Sequence, residues 1–201
     1  MTTGPRNEPP GMLALLSGGG RTLLNLLDAI EAGALHARIP AAIASRPCAG
    51  VERAQARGVP AHVERGVIPA DRLERLMYEH GASWLVLCGY LQRVDIPASL
   101  EGRVVNIHPA LLPDFGGPGM YGDRVHAAVL QSGKTESGCT VHLCDAEYDT
   151  GPIVLQRRCP VLAGDTVDSL AARVFEQECE AYPEALSMLL AAAHATEGVR
   201  P

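Results

Sequence analysis

Short apolar runs alternate along this chain with longer stretches of helical spacing. Met12 to Leu16 is an unbroken apolar run that predicts a buried strand, Ser17-Gly18-Gly19-Gly20 is a tight turn, and Leu23, Leu26, Leu27 and Ile30 recur at helical spacing as far as Gly33. The unit repeats. Arg38 to Ser45 predicts a strand, 51–57 a short helix closed by Gly58, 59–63 a strand, and 70–80 a helix with Leu73, Leu76 and Met77 inward. Trp84 to Cys88 is a third strongly apolar strand, running into Gly89-Tyr90-Leu91-Gln92. Strands that alternate with helices imply an α/β fold with a Rossmann-like, mostly parallel twisted sheet flanked by helices.

The pattern tightens at Val104-Val105-Asn106-Ile107-His108-Pro109. Asn106 and His108 fall two apart on an apolar strand, so their side chains share one face, and Pro109 ends the strand just beyond them. Carboxyl ends of strands are where open α/β sheets bind ligands, and the glycine turn and the 89–92 turn fall on the same rim. Two readings stay open for the pair: satisfied core polar groups, or a site. Asp114 to Gly122 is too glycine-rich for an element and is either a loop closing over a ligand or a surface connection. Helical spacing returns at Val125, Ala128 and Val129. Strand-like segments at 138–144 and 152–156 bracket Asp145-Ala146-Glu147-Tyr148-Asp149-Thr150-Gly151, either a solvated turn or an acid site. Asp165 and Thr166 offer a cap for a long C-terminal helix, which Pro183 is expected to kink or divide.

Composition narrows the function classes. At 201 residues and 47% hydrophobic content the chain suits a single domain, 11–201, behind a flexible Pro/Gly-rich tail, 1–10. A net charge of -6 and no dense Lys/Arg cluster disfavour nucleic acid as a partner and point to small-molecule substrates. No apolar run is long enough to span a bilayer, and no charged segment precedes an apolar one at the start, so a cytoplasmic protein is expected. The six cysteines are scattered with no C-x-x-C pair and read as reduced thiols, not a metal site. Backbone N–H groups at the glycine turn and helix start suit a phosphate, although the turn is neither a Walker loop nor G-x-G-x-x-G, and a simple connection is the other reading.

Ser17-Gly-Gly-Gly, Asn106-Ile-His-Pro-Ala-Leu-Leu-Pro, Gly138-Cys-Thr-Val-His and Asp149-Thr-Gly-Pro-Ile together resemble the glycinamide ribonucleotide formyltransferase family, over nearly the whole chain from Met12 to Leu190. The resemblance implies the formyltransferase fold, with a C-terminal strand pair and long helix. It implies transfer of a formyl group from the co-substrate 10-formyltetrahydrofolate to the amine of glycinamide ribonucleotide, without metal, in a monomer or homodimer. By motif, Asn106, His108 and Asp149 match the catalytic trio. Gly19, Gly20, Arg21 and Thr22 fall on the phosphate-binding positions, Glu178 and Pro109 on those at the glycinamide end. Tyr90, Leu91, Gln92 and Val94 align with the segment flanking the pteridine, and Cys144, Asp145, Ala146, Glu147 and Tyr148 with the loop that wraps it.

The resemblance also implies roles. A protonated His108 and the Asn106 amide would stabilise the oxyanion, Asp149 would raise the imidazole pKa and keep it charged, and a water on Asp149 would relay the proton. Gln92 stands where many members carry Arg, which leaves Arg93 or Arg124 to meet a folate tail. His126 falls near a family histidine close to substrate, and His142 reads as structural. A formyltetrahydrofolate hydrolase using the same trio on water, or a formyltransferase for another amine, are the alternatives.

Overall fold

In the computed structural model, residues 8–197 are described; of the expected tail, residues 1–7 lie outside them. Pro10 already belongs to the fold, since its carbonyl accepts a hydrogen bond from Arg38 N–H (3.0 Å). Thirteen elements include β1 (Met12–Leu16), α1 (Arg21–Glu31), β2 (Ala42–Ala44), α2 (Ala49–Ala56), β3 (Ala61–Val63), α3 (Ala70–Glu79) and β4 (Trp84–Leu87). After these come β5 (Val104–His108), α4 (Asp123–Gln131), β6 (Glu136–Leu143), β7 (Ile153–Pro160) and α5 (Val167–Glu197). All seven strands form one sheet in the order β3-β2-β1-β4-β5-β6-β7. Neighbours from β3 to β5 are parallel, and β6 and β7 run antiparallel. This is the expected α/β architecture with its C-terminal strand pair and long helix.

The central strands are apolar throughout because both faces are covered. On β1, Met12, Ala14 and Leu16 pack with Leu23 and Leu26 of α1 and Leu170, Val174 and Tyr182 of α5. Leu13 and Leu15 face the other way, against Leu73, Leu76 and Met77 of α3. The expected strand from Arg38 is shorter than its apolar pattern, since only Ala42–Ala44 makes the ladder and Arg38 contributes an isolated bridge to Gly11. Conversely, β7 continues past Gln156 to Pro160 because β6 pairs with it over its whole length.

Pro183 does not divide α5. A proline inside a helix leaves the carbonyl four residues back without its N–H donor. Here that carbonyl, of Cys179, accepts from Asn25 Nδ2 on α1 (3.1 Å), so the helix runs on against its neighbour. One residue earlier, fully buried Tyr182 directs its hydroxyl between the carbonyls of Leu87 (3.1 Å) and Val105 (2.9 Å). The phenol pins α5 to the seam of β4 and β5, which sets the helix beside the strand ends that carry Asn106 and His108.

Candidate active site

The carboxyl ends of β1, β4 and β5, with the loops after β5 and β6 and the inner face of α5, enclose a cavity of about 470 Å³. Arg21, Thr22, Tyr90, Leu91, Gln92, Val94, Asn106, His108, Pro109, Asp149, Glu178 and all of 144–148 line it. Gly19 and Gly20 are outside that lining. They form the turn behind Arg21, where Gly20 takes a left-handed conformation (φ 76°) and its missing Cβ would stand 2.9 Å from the Gly50 backbone.

That turn is held from outside. Arg46 Nε donates to the Ser17 carbonyl (2.7 Å), Gly50 N–H to Gly18 (3.1 Å) and Arg53 Nη1 to Gly19 (2.7 Å). With three successive carbonyls drawn towards α2 and the segment that leads into it, the amide N–H groups of 18, 19 and 20 point the opposite way. Neither a side-chain cap nor an acidic residue closes the first turn of α1, so its positive end stays open. Gly50 is required: an added Cβ would meet Leu16 Cδ1 at 2.3 Å and the Gly18 carbonyl at 2.7 Å. The buried hydroxyl of Ser17 accepts from Leu91 N–H (2.9 Å), coupling the glycine turn to the 89–92 turn.

At the other end Asp149 lies between two imidazoles. Its Oδ2 is 3.5 Å from His108 Nδ1 and its Oδ1 is 3.5 Å from His142 Nε2. The loop after β5 contributes Gly117 N–H to Asp149 Oδ2 (2.9 Å) and the Phe115 carbonyl to His108 Nε2 (2.9 Å). Asp149 itself adopts a left-handed backbone (φ 59°), an uncommon conformation that a loop holds where it aims a side chain. Burial opposes ionisation of Asp149. The His142 contact, the His108 charge and the Gly117 N–H outweigh it and hold the carboxyl below the usual aspartate range.

His108 corrects an expectation. It is 3% exposed, and burial outweighs Asp149 and the Phe115 carbonyl, so its pKa is lowered, not raised. The imidazole is therefore neutral near pH 7, with its proton on the Nε2 that faces Phe115. The second correction is His142, expected to be structural. The β5–β6 register sets it directly opposite Asn106, with Nε2 3.1 Å from Asn106 Nδ2, while Nδ1–H donates to the Leu143 carbonyl (3.0 Å). That contact fixes the Asn106 amide and leaves its second N–H without a partner among the described residues. Nothing in the sequence alone gives the register between β5 and β6, so the sequence does not mark this histidine as part of the site.

Glu178 lies on α5 at the glycine-turn end, where burial raises its carboxyl pKa to about 7 despite nearby Arg21. Arg21 stacks on Phe175, its guanidinium carbon 4.3 Å from the ring centroid. Among the stand-ins for Gln92, Arg93 lines the cavity, whereas Arg124 lies over the Tyr121 ring (4.9 Å). Asp145 shapes the 145–149 loop, its Oδ1 accepting from Glu147 N–H (3.0 Å) and the Thr150 hydroxyl (2.8 Å). Gly117 to Gly122 lines the cavity too, so the glycine-rich loop is part of the site and not a remote connection.

A bare helix terminus thus stands at one end of the cavity and an Asn/His/Asp constellation at the other. A family model described as formyl transferase matches residues 12–186, and the chain belongs to that family. Within it, the chain is 37% identical over 188 residues to the chloroplastic phosphoribosylglycinamide formyltransferase of Vigna unguiculata, covering 89% of this chain and 60% of that protein. It is 33% identical over 186 residues to the phosphoribosylglycinamide formyltransferase of Escherichia coli K12, covering 88% of this chain and 85% of the relative. The glycinamide ribonucleotide transformylase 1 structure from Symbiobacterium toebii superposes with a TM-score of 0.83 at 33% identity, over 93% of this chain and 90% of the other.

Proposed function

We propose that this chain transfers the formyl group of 10-formyltetrahydrofolate to the amine of glycinamide ribonucleotide, a step of purine biosynthesis. The observation that carries the reading is Asp149, set 3.5 Å from both His108 and His142 at one end of a cavity whose other end is the uncapped start of α1. The ribonucleotide phosphate sits at Gly19, Gly20, Arg21 and Thr22. Its glycinamide lies by Pro109 and Glu178. The pterin occupies the slot between 90–94 and 144–148. Residues 11–201 act as one formyltransferase domain on small molecules, as a monomer or homodimer, and the six free thiols suit a reducing cytoplasm.

In the reaction, the amine forms a bond to the formyl carbon and negative charge collects on the formyl oxygen. The second N–H of Asn106 donates to that oxygen; one such donor is commonly worth about 10²- to 10³-fold in rate. Ionised Asp149 draws the proton from the attacking nitrogen. His108, neutral at the outset, takes that proton on Nδ1, and the resulting cation stands beside both Asp149 and the oxyanion. As the bond from carbon to N10 breaks, the proton passes to N10, so the folate leaves neutral at that nitrogen and no external acid is consumed. Phe115 holds Nε2 throughout and directs the ring's working nitrogen inward.

Incubation with isotopically formyl-labelled 10-formyltetrahydrofolate and glycinamide ribonucleotide tests this. Label recovered on the ribonucleotide is expected. Label released as formate without an amine acceptor would make the chain a hydrolase, and an absence of turnover would exclude glycinamide ribonucleotide as its acceptor.

A further inference from the structure

His108, Thr140 and Gln156 stand in one row across β5, β6 and β7, since His108 pairs with Thr140 and Thr140 with Gln156. Gln156 does not line the reaction cavity; it borders a second one of about 390 Å³, which Leu111, Leu112 and Asp114 of the loop after β5 also line. Its amide nitrogen is turned to that loop and to the next strand: Nε2 donates to the Leu112 carbonyl (2.9 Å) and to Thr140 Oγ1 (2.9 Å). A carbonyl can only accept, so the nitrogen of the amide, and not its oxygen, must face Leu112. Fully buried Thr140 accepts in addition from Leu112 N–H (3.0 Å) and donates to the Ala110 carbonyl (2.7 Å), so Leu112 is held by both of its backbone groups. What Leu112 fixes lies next to the reacting groups. A Cβ on Gly116 would stand 2.6 Å from Leu112 Cδ2 and 3.2 Å from Asp149 Cβ, so Leu112 and Asp149 both close on the loop backbone there. The residues on either side of Gly116 grip the two catalytic side chains, the Phe115 carbonyl on His108 Nε2 and Gly117 N–H on Asp149 Oδ2.

We infer that Gln156 is a positioning residue for the reaction: without lining the reaction cavity, it anchors Leu112 and thereby sets residues 115–117 against His108 and Asp149. The inference rests on the proposed roles of His108 and Asp149, but not on which amine receives the formyl group. With the anchor removed, the Leu112 carbonyl loses its donor and the segment from Phe115 to Gly117 is free to shift. The Phe115 carbonyl then no longer keeps the imidazole proton on Nε2, and Asp149 Oδ2, 3.5 Å from Nδ1, draws it there instead. His108 would start with a proton on the nitrogen that has to take one up. Turnover falls, while both substrates keep their own contacts.

Histidine ¹⁵N NMR of the ligand-free protein at pH 8 reads the tautomer without any formyl chemistry, the His108 signals being identified by their absence from His108→Asn. Wild type should show Nε2 protonated and Nδ1 bare. Gln156→Met keeps the length of the side chain and loses its donors, so it should move His108 towards the Nδ1–H form. In steady-state assays the same change should lower kcat about 10- to 100-fold, the cost of a small misplacement, with KM for both substrates within about threefold. Gln156→Glu keeps the shape and has no proton for Leu112 at pH 8; the same result is expected of it, and it keeps the test decisive if the Met variant fails to fold. Gln156→His places an N–H at the position of the amide nitrogen and should restore the tautomer and most of kcat. An unchanged tautomer or an unchanged kcat in the folded loss variants would overturn the inference. So would a wild-type ring protonated on Nδ1, or a loss that folded Gln156→His does not recover. Failure of wild type to turn over glycinamide ribonucleotide would overturn the acceptor instead, and the tautomer shift would still decide the role of Gln156.

Discussion

The two ends of the cavity are built from different materials. Around the glycine turn, backbone amides aim inward because Arg46, Gly50 and Arg53 hold the carbonyls on the far side. Around Asp149, four side chains, Asn106, His108, His142 and Asp149, face one another from β5, β6 and the loop that follows. A backbone site tolerates changes of side chain but not of shape, whereas a side-chain site fails with a single atom. On the proposed reading, the first end binds and the second reacts, and substitutions should separate KM from kcat accordingly.

The largest effect belongs to the reacting end. His108→Ala and Asn106→Ala should each lower kcat at least about a hundredfold with unchanged melting curves; wild-type turnover in either would break the division. Next comes Gly50→Ala, whose Cβ has no room beside Leu16 and the Gly18 carbonyl. Overpacking of this kind costs about 1–3 kcal/mol, and the displaced turn should raise KM for the ribonucleotide more than it lowers kcat. Arg53→Ala removes one carbonyl anchor and should raise that KM a few-fold, on the order of 1 kcal/mol, leaving the folate KM alone. Smaller still is a stability effect at Glu178. Its folded pKa of about 7 exceeds the ordinary 4.5, so the ionised form is disfavoured on folding, a penalty that grows above pH 4.5 and is full above about pH 7. Glu178→Gln should therefore raise Tm of the ligand-free protein at pH 8 by roughly 2–4 °C, while weakening amine binding. No rise on thermal denaturation would place that carboxylate in water.

The same contrast explains what the sequence made legible. The β1–glycine turn–α1 unit was readable because periodicity and glycine are local signals, and the pair at Asn106 and His108 because Pro109 marks the strand end. Asp149 came through its motif. His142, Arg46 and Arg53 did not, because strand register and long-range side-chain contacts depend on how distant segments meet. Pro183 misled for the same reason: local chemistry called for a break, and Asn25, more than 150 residues earlier, supplied the missing donor. The charge state of His108 is not legible in the sequence, because its carboxylate neighbour is visible in the motif and its burial is not.

That last point gives a pH test. With its pKa lowered, His108 is neutral above the folded value and gains a proton as pH falls through it. With both substrates saturating, so that Glu178 is already engaged, kcat should therefore hold steady near and above pH 7 and decline on acidification. A rate that climbs between pH 7 and 6 would require the imidazole to start charged.

The most direct measurement is the initial rate of 10-formyltetrahydrofolate consumption against glycinamide ribonucleotide concentration for Asp149→Asn beside wild type. The account predicts consumption that requires the ribonucleotide in wild type, and in the variant a kcat lower by at least about a hundredfold with KM within a few-fold. Wild-type kcat in the variant, or consumption indifferent to the ribonucleotide, would contradict it.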